Sequence, residues 1–253
     1  MPTYRLLIAY DGTAYNGWQK QPKLPSIEGT LEAVFHRAFK VPVSILGVSR
    51  TDAGVHALGQ IVRLKTDLLL SPEKLMFVCN NSLPGDILIR RTDLVPDNYS
   101  PHLGVVKKIY YYHIFVQKPM PYVARYGWYY PRVINIELLK KALTTFVGVY
   151  DFRSFCSVED TREDMVRSVE SIEVTYLKRF NAYRVTVIGE RFLRHMIRRI
   201  IGAAITVATE GSRYTQEDLK TVLHNKNPHH TLPNAPGKGL VLSRIIYRGV
   251  SDV

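Results

Sequence analysis

Twice along this chain a short alternating apolar stretch runs into a segment whose apolar residues recur at helical spacing, first over Leu6 to Phe39 and again over Tyr183 to Ala208. Alternation with period two marks a half-buried strand, and recurrence every three to four residues marks a helix face. In the first copy Arg5 to Tyr10 is the strand, and Ile27, Leu31, Val34, Phe35, Ala38 and Phe39 line a helix capped by Ser26. In the second, Tyr183 to Ile188 is the strand, and Leu193, Met196, Ile197, Ile200, Ile201, Ala204 and Ala208 line a helix that stops at Glu210-Gly211. A repeated strand-helix order with further strands around each copy predicts an α+β duplication: two similar mixed-sheet halves with flanking helices around a central basic cleft.

The remaining elements fit that plan. Val43 to Val48 and Ile61 to Lys65 read as strands on either side of Ser49 to Gln60, a segment too rich in glycine and polar residues to be anything but a loop. Ser71-Pro72-Glu73 opens a short helix and Ile87 to Val95 is a strand. The strand Val105 to Val116 starts the second half. A helix from Ile136 to Val147 closed by Gly148, the strand Val166 to Tyr176, a helix from Thr215 to Leu223 and a last strand Leu240 to Tyr247 follow. The expected division is 1–100, carrying the Ser49 to Gln60 loop, and 101–253.

Composition narrows the function. Lys and Arg number 34 against 22 Asp and Glu, a formal charge of +12 spread along the chain, which favours an extended polyanion as partner on a folded surface. No apolar run reaches the length of a membrane helix and the first residues lack a signal-peptide layout, so the expected location is the cytoplasm. Cys79 and Cys156 are far apart and read as two buried structural thiols. Phosphate-binding and dinucleotide glycine loops, the hydrolase elbow and the zinc-protease helix signature are missing. His229-His230, in the loop Asn227 to Thr231, reads as solvated, without the acid pair a metal site wants, so no metal is expected.

The sharpest feature is Gly47-Val48-Ser49-Arg50-Thr51-Asp52-Ala53-Gly54-Val55-His56-Ala57-Leu58-Gly59-Gln60, whose small residues let backbone approach a ligand. By itself Asp52 reads first as a turn or cap residue stabilising Thr51-Asp52-Ala53-Gly54, and Asp11-Gly12 as a similar turn.

The wider pattern resembles the TruA family of tRNA pseudouridine synthases, whose hallmark loop is R-T-D-A-G-V-H followed by G-Q. Arg50 to His56 match it without a substitution. Further matching blocks, in the family's order, are Tyr10 to Gln19, Asn80 to Ile87, Lys108 to Tyr112, Tyr150-Asp151-Phe152, His195 to Arg198 and Gly239 to Leu242, covering nearly the whole chain. The resemblance implies the pseudouridine synthase fold and a cofactor-free isomerase that turns uridine into pseudouridine in the anticodon stem-loop of tRNAs, at positions 38 to 40, working as a homodimer. It makes Asp52 the catalytic aspartate, Tyr110 the ring packed against the target base, and Arg198 the aspartate's basic partner, and it places Leu240 in a substrate-binding block.

Those roles suit the reaction. Breaking the C1′–N1 bond, turning the uracil and joining C5 to C1′ changes no composition, so it requires no redox agent, nucleotide or metal. It needs an ionised carboxylate near the ribose as nucleophile or base, a form that a nearby guanidinium favours. An aromatic ring retains the free uracil by stacking. Period two puts Tyr110 and Tyr112 on one strand face and Tyr111 on the other. At helical spacing Arg191, Arg194 and Arg198 share one narrow arc, from which the first two would contact tRNA, unless they only flank a core helix. Arg50 is placed to reach phosphate or the space left by a flipped nucleotide.

Many family members carry F-H-A-R where this chain reads Tyr99-Ser100-Pro101-His102, so a guanidinium is replaced there by an imidazole. The reading from another class is a noncatalytic RNA-binding protein using the same basic cleft; a DNA-binding protein lacks a recognition-helix motif. Pure binding has no use for an acid facing RNA phosphates, which favours the enzyme.

Overall fold

The computed structural model describes residues 1–160, 162–230 and 232–249. In chain order it contains β1 (Thr3–Tyr10), α1 (Ile27–Phe39), β2 (Val43–Gly47), β3 (His56–Thr66), α2 (Pro72–Ser82), β4 (Ile87–Val95), β5 (Val105–Phe115) and β6 (Trp128–Tyr129). Then follow α3 (Ile136–Thr144), β7 (Gly148–Asp151), β8 (Val166–Leu177), β9 (Ala182–Gly189), α4 (Met196–Ala208), α5 (Gln216–Asn225) and β10 (Leu240–Tyr247). The class is α+β, with mixed sheet and flanking helices. Two compact units emerge: Met1–Val106 with the chain from Val241 onward, and Lys107–Leu240.

In the first unit β1 is central, antiparallel to β3 and to β4. The far edge of β3 is shared: β2 lies antiparallel along its Val62 to Thr66 end, and β10 runs parallel to its start, pairing Val241 with His56. Tyr4, Leu6, Ile8 and Tyr10 alternate into the core, as period two requires. Ser26 caps α1 by accepting from the Gly29 amide, and Ser71 caps α2 by accepting from Lys74. Trp18, 1% exposed, lies on Gly47, where any side chain would meet its indole at 2.4 Å.

The second unit repeats the scheme. Here β9 is central, antiparallel to β5 and β8, with β7 outside β8 and the short β6 parallel to the end of β5. Helix α4 is buried almost all round, the mark of a central helix, and Gly202 lets the Pro233 carbonyl approach within 2.1 Å of where a Cβ would be. Thr215 and Asp218 form a reciprocal capping box at the start of α5.

Three expectations are corrected. The loop after β2 is shorter than Ser49 to Gln60, because β3 already begins at His56. Helix α3 ends at Thr144 rather than Val147, and Gly148, at φ 126°, opens strand β7 instead of closing a helix. The helix bearing Arg198 starts at Met196, since His195 holds a left-handed φ of 65° that a helix cannot propagate through. Arg191 and Arg194 therefore precede the helix, and the three-arginine arc does not form. No helix among the described residues is long and apolar enough to cross a membrane.

Candidate active site

The Asp52 loop spans Val48 to Val55 between β2 and β3, all in the first unit. At its entry the fully buried Gln60 side chain straps Ser49, accepting from its amide at 3.1 Å and donating to its carbonyl. At the centre the Val55 amide donates to the Asp52 carbonyl at 3.1 Å and Gly54 takes φ 73°, so the turn runs from Asp52 to Val55, one residue later than the Thr51 to Gly54 turn read from the sequence. Asp52 is half-buried and Arg50 exposed.

The segment from Tyr10 to Trp18 lies along this loop. The Tyr10 hydroxyl is 2.8 Å from the Thr51 hydroxyl, and the Trp18 amide donates to the Thr51 carbonyl at 3.0 Å. Gly54 donates to the Tyr15 carbonyl at 3.2 Å and Gly12 to His56 Nδ1 at 3.0 Å. Asp11 makes the expected turn by accepting from the Thr13 amide, and its carboxylate also lies 3.1 Å from His56 Nδ1. Two glycines permit the approach: a Cβ at Gly12 would stand 2.0 Å from the Val55 oxygen, and one at Gly17, already at φ 94°, 2.5 Å from the Thr51 oxygen. Local sequence carries no signal for these tertiary contacts.

In the second unit Tyr110 is buried on β5 with its ring edge-to-face on Phe192, centroids 5.4 Å apart. Tyr112, on the same face, is fully buried and donates to the Pro236 carbonyl; burial pushes its phenol far up. Tyr111 takes the other face, with the Arg184 guanidinium 4.6 Å from its ring centroid. Two residues before Tyr110, Lys108 is pushed down to about 8, first by burial and then by the charge of Arg191. Arg198 Nε donates to the Ala235 carbonyl at 2.8 Å, and the Ala235 amide returns a bond to the Arg198 carbonyl. Leu240 is buried at the start of β10. Arg191 and Arg194 are exposed, Arg194 paired with Glu159 at 2.7 Å and Arg191 near Glu190 at 3.4 Å.

His230 differs from its reading as a solvated loop residue. Its Nε2 donates to the Ser154 carbonyl at 2.6 Å, Nδ1 accepts from the Leu232 amide, and the ring stands 5.3 Å from Phe155, so burial holds its pKa down. Thr231 lies outside the described residues. Cys79 and Cys156 are free and buried, with the Cys79 thiol raised to about 11 by burial.

A family model described as tRNA pseudouridine synthase matches residues 6–100 and 142–248, most of the chain. The chain belongs to the tRNA pseudouridine synthase family. The first matched stretch holds the Asp52 loop with the segment that braces it, and the second holds Arg191, Arg194, Arg198 and Leu240; Tyr110 falls between them. Among full-length relatives, the tRNA pseudouridine synthase A of Thermodesulfovibrio yellowstonii is 32% identical over 257 residues, covering 98% of this chain and 100% of that protein. That of Pseudothermotoga lettingae is 34% identical over 243 residues, covering 96% and 98%. That of Aquifex aeolicus is 32% identical over 249 residues, covering 97% and 100%. A solved structure, the crystal structure of a Cbf5-Nop10-Gar1 complex, aligns with 77% of this chain and 52% of its own at 13% identity and a TM-score of 0.29, and carries no weight in the assignment.

Proposed function

We propose that this chain is a tRNA pseudouridine synthase that isomerises uridine in the anticodon stem-loop, at positions 38 to 40, with Asp52 as the nucleophile or base. The observation that carries the proposal is the unbroken loop Arg50 to His56, braced around Asp52, inside a family match that runs over most of the chain. Tyr110 stacks on the detached uracil, Leu240 lines the substrate pocket, and Arg198 supplies the guanidinium that favours an ionised carboxylate. Arg50 contacts the substrate, and the exposed Arg191 and Arg194 contact tRNA phosphates. The enzyme acts in the cytoplasm as a homodimer and takes no cofactor, because the reaction only moves a bond within the nucleotide.

The test is tritium release from tRNA labelled at uridine C5, a hydrogen that isomerisation expels and binding leaves in place. The expected result is release by the wild type and none by Asp52→Asn, which keeps the side chain's size but loses the charge that attacks carbon or takes a proton. Asp52→Asn is expected to fold and to bind tRNA at least as tightly as the parent. If Asp52 is only a turn residue, Asn serves equally well and tritium release continues.

A further inference from the structure

Asp52 sits between two hydrogen-bonded peptide planes, one held from outside the loop and one by the loop's own turn. The Thr51 carbonyl, coplanar with the Asp52 amide, accepts from Trp18, while the Asp52 carbonyl accepts from Val55. The residue before the aspartate is held by its side chain as well as by its carbonyl. The Thr51 hydroxyl meets the Tyr10 hydroxyl at 2.8 Å, both residues less than a tenth exposed.

The two partners suit such a post. Tyr10 ends a strand paired on both sides, and its ring is buried, 6.3 Å from that of the fully buried Trp18, so its hydroxyl is a fixed point. Thr51 is β-branched, with a stiff χ1, so holding its hydroxyl also holds its backbone. Four residues after the aspartate, His56 receives the Gly12 amide.

We propose that Tyr10 and Thr51 are a positioning pair whose hydroxyl contact sets the direction of the Asp52 carboxylate for the reaction. The inference rests on the reading of Asp52 as the reacting group. Neither hydroxyl needs to touch the substrate. A buried phenol that merely finds a partner would contribute to stability and nothing else, so the two accounts differ in what they do to the rate at saturating enzyme.

The experiment compares Tyr10→Phe, Thr51→Val and Thr51→Ser in single-turnover C5-tritium release at saturating enzyme, with the dissociation constant for tRNA and the thermal midpoint measured on the same preparations. The proposal expects Tyr10→Phe and Thr51→Val each to slow the reaction by on the order of ten- to a hundredfold, the scale of a small misplacement of a reacting group. Affinity for tRNA is expected to stay within about twofold, and Thr51→Ser to recover the rate lost in Thr51→Val. The double variant is expected to be no slower than the slower single, since both remove one contact. Wild-type rates in Tyr10→Phe, a loss of affinity that tracks the loss of rate, or no recovery by Ser overturns it. Asp52→Asn separates the two levels: tritium release by that variant overturns the reading of the site itself, whereas an inactive Asp52→Asn beside a fully active Tyr10→Phe overturns only the positioning role.

Discussion

Arg198 and Ala235 are joined in both directions, guanidinium Nε to carbonyl at 2.8 Å and amide to carbonyl at 3.1 Å. The pair ties the first turn of α4 to the segment leading into β10, and the anchored Nε restricts the orientation of the whole guanidinium plane. Lysine keeps the charge but has neither the plane nor a donor at that position. Arg198→Lys is therefore expected to lower stability by about 1 kcal/mol, the net worth of one such hydrogen bond, read from the urea midpoint. Single-turnover C5-tritium release is expected to fall by at least roughly tenfold with little change in tRNA affinity. An unchanged rate would show that charge alone suffices.

Gly12 offers a test of the brace that needs no hydroxyl chemistry. A methyl group there meets the Val55 backbone oxygen at 2.0 Å, and neither side can yield without moving the Asp52 loop. Gly12→Ala is expected to cost about 2 kcal/mol and to lower the thermal midpoint by roughly 4–8 °C. Turnover at a temperature where the variant is still folded should drop with it.

These contacts mark the limit of what was legible in the sequence. Strand β1 was readable because Tyr4, Leu6, Ile8 and Tyr10 alternate cleanly into the core. The start of β3 was not, since His56 and Gln60 look like loop residues, yet both are buried and their polar atoms are satisfied by Gly12 and Ser49. Apolar spacing carried the α4 helix back to Leu193, which is buried but lies before the break at His195, and only a backbone angle reveals that. Strand β7 spans four residues with Val149 exposed, too short for a pattern. The Asp52 loop was evident as a motif, while its dependence on residues 10–18 exists only in three dimensions.

Lys108 carries a pH signature. Its pKa falls to about 8, by burial and then by Arg191, from an ordinary 10.5. Between those two values the unfolded chain holds a proton that the folded protein has shed, so this group's contribution to stability rises with pH across that window. Below about pH 8 the folded state bears the cost of a half-buried charge beside Arg191. Lys108→Met is thus expected to be more stable than the parent at pH 7, with the gap closing as pH is raised from 8 towards 10.5. Urea midpoints of the two proteins over that range check the sign; other titrating groups, such as the Cys79 thiol, are common to both and cancel.

Tyr110 distinguishes stacking from hydroxyl chemistry. Tyr110→Phe keeps the aromatic face and the edge-to-face contact with Phe192, and is expected to fold and to turn over near the parent rate. Tyr110→Leu removes both. The lost ring contact should cost about 0.5–1.5 kcal/mol of stability, and the lost stacking on uracil about 1–3 kcal/mol where the free base must be held between bond breaking and bond making. Most turnover should therefore vanish in the Leu variant, while tRNA affinity, dominated by phosphate contacts elsewhere, falls only modestly. Tritium release and tRNA binding measured together on both variants decide the point. If Tyr110→Phe is as inactive as Tyr110→Leu, the hydroxyl takes part in the chemistry and stacking is the lesser duty of this side chain.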